Sequence, residues 1–196
     1  MPQQINSGRA LRADAERTVQ TILEAAERTL GRNPAATMED IAAAAGVART
    51  TVHRRFATRE ALITAMASWA TQQFAAAVDA ARPDTAPPVV ALYQATANVL
   101  RVKIGWGFSM SSALTEGSEL ERVYASIVAK CDRLFRRAQE AGIVRHDADL
   151  IWGRRVYHAL IHEVSQDAAP DEDTDALATQ VVDTLLRGIG TQPAHL

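Results

Sequence analysis

The segment VARTTVHRRFATREAL, residues 47–62, gathers Arg49, Arg54, Arg55 and Arg59 with Thr50, Thr51 and His53 around Val52 and Phe56. A guanidinium group pairs bidentately with phosphate or with a guanine edge, and threonine can donate to, accept from or pack against a base. Closely spaced residues of these types offer the chemistry of nucleic-acid recognition. A second group is His158, His162 and Glu163, in which two histidines stand four apart on one helix face. That step can chelate a metal, but the stretch reads HALIHE rather than HExxH, and Asp167 as a third ligand is only conjecture. A solvated or interface pair is expected there, with no metal and no cofactor. Cys131 falls mid-helix without an adjacent base, and no glycine-rich phosphate loop follows a strand. No nucleophile constellation is present, so an enzyme is not expected.

The elements that must position these residues are helical. Aromatics make up only 5% of the 196 residues while alanine is abundant, a composition that favours helices over strands and predicts an all-α chain. Val19, Ile22, Leu23, Ala26 and Leu30 recur at three- and four-residue steps, predicting a helix from Ala13 after a flexible arm over residues 1–12 that carries Arg9 and Arg12. Gly31 and Pro34 end it. Thr37 then caps a short helix, with Asp40 at its third position as a variant capping box, and Gly46 ends that helix. A second short helix follows through Phe56, and Thr58 caps a long one to about residue 80. ARPDTAPP, residues 81–88, breaks the pattern with three prolines. Further helices are expected over about 89–106, 119–141, 150–164 and 175–186, with GFSMSSALTEGS an interruption or a short irregular helix between the first two.

Charge is uneven along the chain. Residues 1–60 carry nine arginines against seven acids, net +2, whereas residues 61–196 are net −4. A basic end on an acidic body permits nucleic-acid binding without requiring it. One cysteine forbids an intrachain disulfide and fits a reducing compartment. No signal-peptide-like or membrane-spanning apolar run appears, which points to the cytoplasm and to no membrane.

Two short helices joined by a glycine turn predict a helix-turn-helix. At about 100° per residue, Val52 and Phe56 fall within roughly 40° of each other, with Thr50 and Arg54 opposite and Thr51 and His53 flanking. Presented outward, that face suits a major groove. Arg49, Arg55 and Arg59 lie at the sides and ends and are expected on phosphate, as are the helix starts at Thr37 and Thr58.

TMEDIAAAAGVARTTVHRRFATREALITAM resembles the DNA-binding region of TetR-family transcriptional regulators. Ala45-Gly46-Val47 match the family's turn, Val52 and Phe56 its apolar pegs, and Thr58-Arg59-Glu60-Ala61-Leu62 the opening of its fourth helix. Two positions depart: the family commonly has tyrosine where this chain has His53 and lysine where it has Arg59, both usual phosphate contacts. The specific match spans about residues 15–66.

The resemblance implies a helix-turn-helix DNA-binding domain over residues 13–60 and a larger helical ligand-binding and dimerisation domain over 61–196. It further implies a homodimer that binds a near-palindromic double-stranded operator, represses transcription, and responds to a small-molecule effector. Interface candidates on the last two helices are Trp152, Val156, Leu160, Val181 and Leu185. Pocket candidates among the middle helices are Tyr93, Trp106, Phe108, Met110, Tyr124, Cys131 and Tyr157, which suit an apolar or aromatic compound. The alternative is a non-enzymatic small-molecule-binding dimer whose DNA-binding domain has degenerated.

Overall fold

The computed structural model describes residues 3–112, 119–169 and 171–190, with the side chains at 3–12, 110–112, 119, 120 and 167 outside that description. The described residues form nine α-helices: α1 (Gln3–Arg32), α2 (Met38–Ala44), α3 (Arg49–Arg55), α4 (Arg59–Ala80), α5 (Pro88–Gly105), α6 (Gly107–Ser112), α7 (Glu119–Glu140), α8 (Leu150–Asp167) and α9 (Thr174–Ile189). The all-α expectation holds. The first helix starts ten residues earlier than the apolar stripe suggests, at Gln3 in place of an arm up to residue 12. Of the two forms expected for GFSMSSALTEGS, an interruption or a short helix, residues 107–112 take the helix as α6, and the remainder lies outside the described residues.

The chain packs as two compact units whose border falls inside α4, between Trp69 and Ala70, with α6 belonging to the first. In the first unit, Ile22, Leu23, Ala26 and Leu30 of α1, Ile41 and Ala42 of α2, Val52 and Phe56 of the α3 segment, and Leu62 and Met66 of α4 make up the buried apolar set. All are at most 7% exposed, and burying each large aliphatic side chain contributes about 1.5–3 kcal/mol. The α2–α3 turn is a Schellman motif. The Val47 amide donates to the Ala42 carbonyl at 3.1 Å and the Gly46 amide to the Ala43 carbonyl at 3.1 Å. Gly46 sits at φ 66, a left-handed geometry that disfavours a side chain.

The second unit is built on α5, which packs most extensively on α9 and also meets α7 and α8. Val99 and Leu100 of α5, Leu134 and Phe135 of α7, Tyr157 and Ile161 of α8, and Val182 and Leu185 of α9 are among its buried residues. Asp149 and Asp173 cap α8 and α9 by accepting from the second and third amides beyond them. A Cβ at Gly153 would stand 3.0 Å from Ile189 and 3.5 Å from Phe135, so this glycine lets α8 approach its neighbours. The α5 entry loop is clamped from α7: Arg133 holds Asp84 bidentately at 2.8 and 3.1 Å, and Arg137 donates to the Pro83 and Ala86 carbonyls. Among the described residues no helix is long and apolar enough to cross a membrane.

Gly46→Ala should lower the unfolding free energy by about 1 kcal/mol, read from denaturant midpoints, because alanine must take the left-handed conformation.

Candidate functional site

On α3 the apolar pegs and the polar face separate cleanly. Val52 is fully buried and Phe56 nearly so, while Thr50, His53, Arg54 and Arg55 are exposed and Thr51 is half-buried. Thr50, His53 and Arg54 thus share one outward face of hydrogen-bond donors, while Arg55 lies to its side against residues 13–20 of α1 and Trp69 of α4. Arg49 is engaged at its edge: its guanidinium pairs with Glu39 of α2 at 2.5 Å, and its Nε lies 3.4 Å from His53 Nε2. Both partners of the ion pair are exposed, so the pair adds little stability and exchanges readily for another anion.

The three residues expected at helix starts and ends have internal partners. The Thr37 hydroxyl accepts from the Asp40 amide at 3.2 Å. Its own amide and hydroxyl donate to the Asp40 carboxylate at 2.8 and 2.9 Å, completing the capping box. Those donations hold the Asp40 carboxyl below its ordinary range. The start of α2 therefore carries its own anion, which opposes a phosphate at Thr37. Thr58 accepts from the Ala61 amide at 3.1 Å as the cap of α4. The Glu60 carboxyl is held low by its own backbone amide and by the Thr58 hydroxyl. Arg59, expected on phosphate, turns its guanidinium to the α1–α2 loop, where it donates to the Pro34 carbonyl at 2.5 Å and to the Ala36 carbonyl. It straps the start of α4 to the segment that leads into α2.

A buried acid that the sequence pattern does not reveal links α1 to α6. Glu27 is only 6% exposed. Its carboxylate accepts from the Phe108 amide at 2.7 Å, from the Ser109 amide at 3.1 Å, and from the Ser109 hydroxyl. Burial raises its carboxyl pKa above the ordinary value of 4.5, against the lowering by those three donors. Phe108 is thereby drawn to α1, beside Gly31, within the first unit.

The remaining pocket candidates, apart from Met110 of α6, lie in the second unit with different surroundings. The Tyr157 hydroxyl meets Thr96 Oγ1 at 2.7 Å, and burial pushes the phenol up. Burial pushes the Cys131 thiol up to about 12, which keeps it protonated and inert at neutral pH. Tyr93 donates to Asp183 of α9. Tyr124 is exposed, with its ring edge-on to His158 at 6.3 Å. Trp106 is half-buried at the end of α5, and the Met110 side chain lies outside the described residues. The interface candidates divide as well. Trp152 is 59% exposed, and Val156 and Leu160 are half-buried. Val181 and Leu185 are 1% and 2% exposed within one chain, so they belong to its own core. The exposed neighbour that the apolar pattern missed is Ile151, at 65%. Among the described residues no group of three His, Cys, Asp or Glu is placed to hold a metal ion.

Residues 22–66 match the family model described as bacterial regulatory proteins, tetR family. The HTH-type transcriptional repressor LfrR of Mycolicibacterium smegmatis is 32% identical over 184 residues, covering 91% of this chain and 93% of that protein. The crystal structure of LfrR in complex with proflavine superposes with a TM-score of 0.59 at 28% identity, covering 90% of this chain and 99% of that one. The ketosteroid transcriptional regulator KstR2 of Mycobacterium tuberculosis shares the fold, with a TM-score of 0.74 at 17% identity over 89% of this chain and 95% of that one.

Arg59→Ala should cost about 1–2 kcal/mol in denaturant melts without DNA, because two carbonyls lose a charged donor. A residue serving only phosphate would leave that stability unchanged. Glu27→Ala should cost about 2 kcal/mol by stranding the α6 amides. Because the folded pKa of Glu27 is raised, its contribution is full below the ordinary value and shrinks as pH rises through the folded one. The difference between wild type and variant should therefore be larger at pH 4 than at pH 8.

Proposed function

The chain belongs to the TetR family of bacterial regulatory proteins, and we propose that it is a repressor that binds a near-palindromic operator as a homodimer and is released by a small-molecule effector. The observation that carries this reading is the exposed Thr50, His53, Arg54 and Arg55 surface of α3, standing over the buried Val52 and Phe56. Arg54, central on that face, reads a guanine edge. Arg55 and the exchangeable Arg49 take phosphate. Seven residues of helix reach few bases, so two copies related by a two-fold axis double the site and set its half-site spacing.

Dimerisation is assigned to the outer face of α8, where Ile151 and Trp152 stand exposed side by side. Two large apolar side chains in water at a helix start favour a matching surface over solvent. The effector belongs in the second unit, among α5, α7 and α8. The α4 helix is continuous from the DNA-facing unit into the second, so a shift of α4 alters the spacing of the two α3 helices. The complex of LfrR with proflavine supports a planar aromatic effector.

Fluorescence anisotropy with the chain's own upstream DNA should show sequence-selective, salt-dependent binding. Arg54→Ala should lose about 1–3 kcal/mol of discrimination at one base position, and Arg55→Ala should weaken all sequences alike. Absence of selective binding would remove the reading and favour a small-molecule-binding dimer with a degenerate DNA-binding domain. Trp152→Glu should yield folded monomers by sedimentation and weaken operator binding. A variant still dimeric would place the interface elsewhere.

A further inference from the structure

Beside α3 the first unit is open along a cleft of about 490 Å³. One wall is a face of α1, where Ala13, Glu16 and Arg17 stand at three- and four-residue steps. Val19 of α1 and the half-buried Trp69 of α4 add apolar lining, and Arg55 reaches the cleft from the last turn of α3. Arg17 and Arg55 are both exposed, against the lining acid Glu16. Residues 1–20 carry three arginines against two acids, so this half of α1 is basic in itself.

Two guanidinium groups beside apolar lining match the chemistry of a sugar–phosphate backbone. The cations make charge-assisted bonds to phosphate oxygens, and the apolar side chains lie against the sugar. Clefts of this volume seat small-molecule ligands, which are larger than the sugar and phosphate of one nucleotide. The cleft is also continuous with the recognition face, because Arg55 lines it and Arg54, the next residue back, stands on that face.

We propose that α1 is part of the DNA interface: the operator backbone flanking the bases read by α3 lies in this cleft, where Arg17 joins Arg55 on phosphate. The inference rests on the DNA-binding reading above and adds a helix to its footprint. Glu16 opposes the phosphate and lowers affinity for every sequence alike, since backbone contacts carry no base information.

The test uses the full chain with its operator and with unrelated DNA, followed by anisotropy over a salt series. Arg17→Ala should weaken both DNAs by the same factor, about eightfold near 0.1 M salt, and should flatten the slope of log K against log salt by about one. Arg17→Lys should keep most of the wild-type slope. Glu16→Gln should tighten both DNAs equally. Ala13→Phe fills the cleft without changing charge and should weaken both. Arg28→Ala, exposed on α1 but outside the cleft lining, should leave affinity and slope unchanged. Phosphate-ethylation interference should lose one position per half-site in Arg17→Ala, and the Tm without DNA should stay level, because Arg17 is exposed. Wild-type affinity and slope in Arg17→Ala, an equal loss in Arg28→Ala, or full binding by Ala13→Phe would each overturn the inference and leave the DNA-binding reading in place. Failure of the wild type to bind any DNA selectively would remove both.

Discussion

A helix of seven residues is below the length at which backbone hydrogen bonds repay the cost of nucleation, so α3 cannot hold its shape alone. It exists because Val52 and Phe56 are driven under it and the Schellman turn at Gly46 fixes its departure from α2. Everything assigned to DNA depends on that burial. The exposed arginines have a direction only because two apolar residues four apart are pinned to the core of α1, α2 and α4. The supports around this pivot are equally short-ranged. The capping box of Thr37 and Asp40 holds α2, the Thr58 cap holds α4, and Arg59 straps the start of α4 to the α1–α2 loop.

Charge is used differently in the two units. In the first, the arginines at the rim of α3 are solvated or loosely paired, so an approaching polyanion meets donors that are free to rearrange. In the second, most charge is structural. Arg133 and Arg137 clamp the entry to α5, and Arg154 is matched by Asp132. Lys103 of α5 departs from that rule: it is half-buried, and no acid among the described residues pairs with it.

Much of the first unit was legible in the sequence. The capping box, the turn glycine, the Val52 and Phe56 pegs and the family resemblance all lie within one stretch of residues. Their physics is local, set by steps of three or four. The start of α1 was not legible, because a polar segment with early glycine carries no apolar stripe, although helix continues back to Gln3. Arg59 was legible as a positive charge but not as a strap, since a guanidinium reaches carbonyls more than twenty residues away as readily as it reaches phosphate. Val181 and Leu185 carried the right periodicity for a buried face, yet periodicity does not say whether the same chain or a second copy covers it.

By itself, then, the sequence determined the helices, the helix-turn-helix and the polar character of its outer face, because caps, turns and apolar spacing act over a few residues. Only the tertiary structure decided the partners. It set Glu27 of α1 against the start of α6 some eighty residues on, put Arg59 on the α1–α2 loop, and paired Arg154 of α8 with Asp132 of α7. These are meetings between distant segments. Each depends on which helix faces cover one another, and no local pattern encodes that.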